Sequence, residues 1–148
     1  MAPVQYQLIA FSSLFYYELV QLRQDVLRTP LGQQLEFDQV RTDHLDWHLG
    51  AYTSAQLIGA VSLTPDGSDS IRMRQMAVKP DYQALGIGSE LVRQAEKVAY
   101  TKGYTTLILD ARETALSFYK RLGYNTTSDP FLKSHIPHLT MQKRLVHV

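Results

Sequence analysis

The segment Arg74-Gln-Met-Ala-Val-Lys-Pro-Asp-Tyr-Gln-Ala-Leu-Gly-Ile-Gly-Ser-Glu-Leu91 decides how the rest of the chain is read. An apolar run ends at Val78, Pro80 interrupts it, and a short loop delivers Gln83, Ala84, Leu85, Gly86, Ile87 and Gly88 to the mouth of an amphipathic stretch. Ile87, Leu91, Ala95 and Val98 share one face, which predicts a helix over 86–102. A strand that empties through a glycine turn into a helix start forms an anion socket. The first N–H groups of the helix have no intrahelical partner, and the helix dipole points its positive end outward. Glycines at 86 and 88 let the main chain approach a phosphate with no Cβ in the way. The backbone from Leu85 to Ser89 is therefore the candidate donor set for a phosphorylated cofactor.

Two common phosphate loops fail on residue identity. The dinucleotide fingerprint needs a third glycine where Leu91 stands, and the nucleoside-triphosphate loop needs a Lys that follows neither Gly86 nor Gly88. A second segment narrows the choice. Thr105-Thr-Leu-Ile-Leu-Asp110 is a short β-branched apolar run, and Ala115, Phe118, Tyr119 and Leu122 after it fall on one helical face. Gly123 stands where a left-handed C-terminal cap belongs.

Gln83, Gly86 and Gly88 resemble the Gln-x-x-Gly-x-Gly pattern of the acetyl-CoA-dependent GCN5-related N-acetyltransferases (GNAT). The strand, the Tyr-bearing helix and the Leu122-Gly-Tyr124 exit resemble that family's second cofactor motif. Phe131-Leu-Lys-Ser-His-Ile-Pro-His-Leu-Thr-Met-Gln-Lys143 and Leu22-Arg-Gln-Asp-Val26 are similar to segments of its ElaA-like branch.

The resemblance implies one acetyltransferase domain over 1–148, of α/β (α+β) class. Its mixed, mostly antiparallel sheet has six to seven strands with helices on both faces. It implies acetyl-CoA as co-substrate and a small-molecule or peptide amine as acceptor. Met76, Ala77 and Val78 would offer a strand edge to the amide-rich pantetheine arm. The Gln83 amide could join the phosphate donors. Tyr119 would protonate the leaving thiolate, with Phe118 packed beside pantetheine. Arg112 stands where the family commonly has a cofactor-facing Asn at the start of the second helix. Many members carry a Glu on the strand before the phosphate loop, yet Ile71–Val78 holds Arg72, Arg74, Gln75 and no carboxylate. Glu36, His48 and His138 are the other candidates for a base, and none is singled out.

Composition bounds the alternatives. The 148 residues suit one domain, with 45% apolar and 20% charged side chains. Fifteen basic and 14 acidic residues give no general field for nucleic acid or an anionic membrane, so neither is expected as a partner. With no cysteine there is no thiolate metal site and no Cys nucleophile, so acetyl transfer would be direct. No leader and no spanning run is read, and a cytoplasmic location is expected. His44 and His48 are better read as a loop entering a strand than as metal ligands, and no metal is expected.

Strands are expected at Val4–Phe11, His48–Thr53, Leu57–Leu63, Ser70–Val78, Thr105–Asp110, near Tyr124 and at His138–Arg144. A helix is expected from Ser12 or Ser13 to Pro30. Glu36, Asp38, Asp43 and Asp46 against Arg41 would favour a cationic acceptor if they border its mouth. Two rivals stay open: an idle acyl-CoA sensor, and a structural module that binds no CoA. A homodimer is common among relatives.

Overall fold

The structure is a computed structural model that describes residues 2–36 and 40–146. Asp38 lies outside the described residues. Strand β1 spans Gln5–Ile9, and Ser13 then caps helix α1, Leu14–Arg23, by accepting from the Tyr16 N–H at 3.2 Å. The helix continues through a wide π turn at Gln24–Arg28 and a tight 3-10 turn at Thr29–Leu31. Pro30 and Gly32, at φ 68°, end it.

Strands β2 (Trp47–Thr53), β3 (Gln56–Pro65) and β4 (Ser70–Val78) form an antiparallel meander. Helix α2 (Ile87–Thr101), β5 (Thr106–Arg112), the short helix α3 (Leu116–Arg121), β6 (Asn125–Thr126), β7 (Phe131–Lys133) and β8 (Ile136–Arg144) follow. All eight strands join one sheet in the order β1-β2-β3-β4-β5-β8-β6, with β7 on β8. Among the described residues β4–β5 is the parallel pair and every other pairing is antiparallel. The mixed, mostly antiparallel sheet with helices on both faces is thus borne out, with one strand more than expected. The extra strand, β7, turns into β8 through Ser134 and His135 at φ 52° and 62°. Ser54 and Ala55 make the same two-residue turn between β2 and β3 at φ 50° and 61°. Neither turn carries the Asn or Gly that usually marks it.

Two apolar clusters divide the faces. Helices α2 and α3 cover Leu49, Val61, Ile71, Met73, Leu107, Leu109 and Met141, whereas α1 covers Ile9, Tyr52, Leu57, Ala60 and Ala77. No helix among the described residues is long and apolar enough to cross a membrane.

Two features of β4 open the sheet. Ala60 pairs Ala77 and Ser62 pairs Arg74, so Gln75 and Met76 together face Val61. This is a β-bulge, with Gln75 at φ 56°. The bulge reverses which side chains point to which face. Met73 packs toward α2 before it; Ala77 packs toward α1 after it. In addition, β4 pairs β5 only from Ser70–Thr106 to Arg72–Ile108. Beyond that point β4 runs on to Val78, while β5 stays with β8 as far as Arg112–His138. The two strands diverge and leave a cleft between them.

Candidate active site

The divergence of β4 and β5 holds a cavity of about 880 Å³. Its walls include Met76, Ala77, Val78, Gln83, Arg112, Phe118 and Tyr119 from the expected site. From Met73 onward the β4 edge facing the cleft has no strand partner among the described residues. Its free N–H and C=O groups can accept an amide-bearing chain as an added strand would.

The phosphate loop lies beside this cavity rather than in its wall: Ala84, Leu85, Gly86, Ile87, Gly88 and Ser89 do not line it. Gln83 donates through Nε2 to the Val78 carbonyl at 2.9 Å and pins the loop to the end of β4. One of its two amide protons is therefore committed to the fold. Ala84 at φ 62° and Gly86 at φ 83° then swing the chain into α2. Gly86 is the N-cap and offers no side chain to the orphan donors that follow. The N–H groups of Ile87, Gly88 and Ser89 remain available to an outside anion. Only Gly86 is required by backbone conformation. A Cβ built on Gly88 would meet nothing nearer than Phe118 Cζ at 3.6 Å, an ordinary contact. A built Cβ this near Phe118 puts α3 beside the start of α2, so the two sequence motifs converge.

Tyr119 is 9% exposed and packs edge-on against Phe118 and Tyr124, with ring centroids 4.9 Å and 5.8 Å away. Its hydroxyl makes no hydrogen bond to another described residue, and burial pushes its pKa up to about 12. The Leu122-Gly-Tyr124 exit has a physical reason. Gly123 takes φ 98°, and Tyr124, 1% exposed, donates to Glu96 Oε2 on α2 at 2.8 Å. Lys143 Nζ, 3.1 Å from both Glu96 oxygens and 2.8 Å from the Leu122 carbonyl, completes a clamp that fixes α3. Sequence reasoning missed Glu96 and Lys143; Glu96 sits among the buried positions of α2, next in the chain to Ala95, and that misplaced charge was the available signal.

Arg112 needs correction. It is the last residue of β5, exposed, and followed by a 3-10 turn before α3, so it does not open the second helix. Pairing with His138 on β8 extends the strand two residues past Asp110.

The candidate bases separate cleanly. His48 is 1% exposed, donates from Nε2 to the Asp43 carbonyl at 2.8 Å and meets Ser62 Oγ through Nδ1 at 2.7 Å. Both nitrogens are engaged, so it serves neither as base nor as ligand. Glu36 does not line the cavity. His138 does, donating from Nδ1 to the Ile136 carbonyl at 2.7 Å and stacking on Phe131. That bond leaves Nε2 as the lone-pair nitrogen in the neutral ring. The acidic segment also reads differently. Asp43 is fully buried on Arg23 at 2.7 Å, and neither it nor Asp46 borders the cavity.

A model of the acetyltransferase (GNAT) domain matches residues 23–145. The chain belongs to the acetyltransferase (GNAT) family. Membership makes it an N-acetyltransferase dependent on acetyl-CoA. YyaT of Bacillus subtilis (strain 168) is 31% identical to it over 111 residues, 74% of each chain. Escherichia coli ElaA has the same fold with a TM-score of 0.83, at 15% identity over 96% of this chain and all of that one (100%). A GNAT family acetyltransferase from Elizabethkingia anophelis, solved with acetyl-CoA bound, aligns with a TM-score of 0.73 at 18% identity, over 96% of this chain and 98% of the other. At such identities the structural likeness carries the fold. The assignment to the ElaA-like branch rests on the short segments quoted above.

Proposed function

We propose that this GNAT domain transfers acetyl from acetyl-CoA directly to a primary amine of a small molecule or peptide, in a ternary complex with Tyr119 as the acid. The observation that carries this reading is the arrangement at the cleft. An uncapped helix start follows one of the diverging strands, and the other leads to Tyr119, a buried residue whose hydroxyl has no hydrogen-bond partner among the described residues. The amides of Ile87, Gly88 and Ser89 would hold the diphosphate, and Met76–Val78 the pantetheine. When bound, acetyl-CoA supplies the activated acyl group.

The amine attacks the thioester carbonyl; a C–N bond forms, the C–S bond breaks and sulfur leaves with the electron pair. Tyr119 donates a hydrogen bond to that sulfur. With a pKa of about 12 the phenol stays protonated throughout the working range, above the roughly 8.5 of an alkyl thiol. Full transfer from Tyr119 is uphill, so as the acid it acts by hydrogen-bonding the developing thiolate; the base takes the amine's proton and releases it to solvent, and the thiolate takes one from solvent to become the thiol. His138, on the same cavity, is the base this reading assigns, directly or through one water.

Isothermal titration with acetyl-CoA tests the first half: absent binding removes the reading. Thiol release with an amine panel tests the second. Tyr119→Phe is expected to lower kcat about 10²-fold with cofactor Kd changed less than twofold. An unchanged kcat returns Tyr119 to a packing role, and binding without thiol release from any amine returns the chain to a sensor.

A further inference from the structure

The α1 side of the cleft is cationic. Alternation along β5 sends Leu107, Leu109 and Ala111 toward α2 and α3, and Asp110 and Arg112 to the opposite face. On β4, Arg74 is opposite Ser62, whose hydroxyl contacts Arg23 and His48 beneath α1. Arg28, from the π turn that follows α1, closes over this face. The cavity wall thus gathers Arg28, Arg72, Arg74, Arg112 and Lys133 against one carboxylate, Asp110. Arg72 at 3.0 Å and Lys133 at 3.4 Å already share Asp110. Arg28, Arg74 and Arg112 are in no close ion pair with a described residue, and the one further carboxylate that feels Arg74, Asp46, lies off the cavity wall.

Arg28, Arg72 and Arg74 are half-buried, Arg112 and Lys133 exposed, and like charges gathered in this way repel. Burial lowers the pKa of the Arg28 guanidinium, and Arg23, Arg112 and Arg74 push it the same way. Arg28 Nε is buried without a hydrogen-bond partner, and so are both amide atoms of Gln75 at the bulge. Buried polar atoms are normally satisfied, and here a β-bulge and a helix turn bring three that are not to one cavity.

We propose that the amine acceptor also carries an oxyanion, a carboxylate or phosphate, seated between Arg28, Arg74 and Arg112 with the Gln75 amide beside it. This deepens the transfer reading and rests on it. Guanidinium groups match both oxyanions through paired N–H donors. The phosphates of CoA are assigned to the other side, at the start of α2, because the register places Arg74 and Arg112 on the face away from that helix. A polyamine would add positive charge to a wall that already has an excess.

The test is titration of CoA-loaded protein with N-acetylglycine (carboxylate), O-phosphoethanolamine (phosphate), ethylamine and spermidine, followed by kinetics with glycine, O-phosphoethanolamine, ethylamine and spermidine as acceptors. At least one oxyanion-bearing probe should bind tenfold or more tighter than ethylamine, and the stronger of the two identifies the anion. Arg28→Gln should weaken that binding at least tenfold and raise the matching acceptor KM, with CoA Kd unchanged. Arg28→Lys should recover part of the loss, which a merely structural role would not predict. Stronger binding of spermidine or ethylamine overturns the proposal, as does equal oxyanion binding in Arg28→Gln. Weaker CoA binding in Arg28→Gln also overturns it, by assigning the cluster to the cofactor. Failure of the transfer reading shows separately, as no CoA affinity in the unmodified protein.

Discussion

The two faces of the sheet meet at the β4–β5 cleft but are stabilised in different ways. On the α2–α3 face the chain relies on apolar packing and one clamp, Glu96 with Tyr124 and Lys143. Its binding groups are main-chain amides, which no neutral substitution of a side chain removes. On the α1 face, polar side chains reach deep into the fold. Arg23 donates to Asp43 and Ser62 at 2.7 Å each, Tyr16 donates to Asp43 at 2.6 Å, and His48 bridges Ser62 and the Asp43 carbonyl. The first face takes its binding groups from short contiguous motifs, whereas the polar network of the second joins residues far apart in sequence. That contrast implies that damage to the α1 face should appear mainly in stability, and damage to the α2 face mainly in cofactor affinity.

The largest expected effect tests that division. Asp43→Ala leaves Arg23, 1% exposed, as a buried charge without its carboxylate, and removes the acceptor of the Tyr16 hydroxyl. Breaking a buried pair from one side costs roughly 3–5 kcal/mol. Urea denaturation should show a loss of that order, and acetyl-CoA Kd, measured where the variant is still folded, should stay within twofold. A Kd that rises with the instability would mean that the two faces are not energetically separate.

Gly88→Ala pushes from the other side, with a smaller effect. The fold has no need of glycine there, since the new Cβ would make only an ordinary contact with Phe118. Alanine favours the helix, so folding stability should hold or rise by up to about 1 kcal/mol. The methyl group would nevertheless stand among the donors to the diphosphate, and acetyl-CoA affinity should fall about tenfold. Gly86→Ala is the control, because φ 83° makes it destabilising for reasons unrelated to ligand. If Gly88→Ala binds acetyl-CoA normally, the main-chain socket loses its support.

The same contrast explains what could be read from the chain. The places of Gln83, Gly86, Gly88 and Tyr119 in the fold were legible because a left-handed turn, an uncapped helix start and a helical face each leave a local mark. The strands β2 to β5 were legible from alternation for the same reason. Arg28, Arg74 and Arg112 leave no such mark. They meet only because strand register, a bulge at Gln75 and a π turn after Arg23 superpose them. Glu36, Asp43 and Asp46 suggested a cation-seeking mouth because charge is visible in sequence and burial is not. Asp43 turns inward to Arg23, and the cavity takes the opposite sign. Arg112 was displaced by a different cause: pairing with β8 outran the apolar run that ended at Asp110.

The smallest effect is a pH slope that belongs to the α1 face alone. Burial lowers the pKa of His48, opposed by its bond to the Asp43 carbonyl and reinforced by the Arg23 charge. The unfolded chain then holds a proton, from about pH 6.5 downward, that the folded chain refuses. Stability should therefore fall as pH drops from about 6.5 through the folded value, by at most about 1.4 kcal/mol per pH unit for one proton. Asp46, raised by burial, acts in the opposite sense, but it is present in both chains, so the comparison with His48→Gln isolates the histidine. Urea midpoints at pH 7.5 and 5.5 should separate more in the natural chain than in His48→Gln, whose amide cannot titrate. Equal separations would mean that the buried network admits the proton, and that the polar face is looser than its hydrogen bonds indicate.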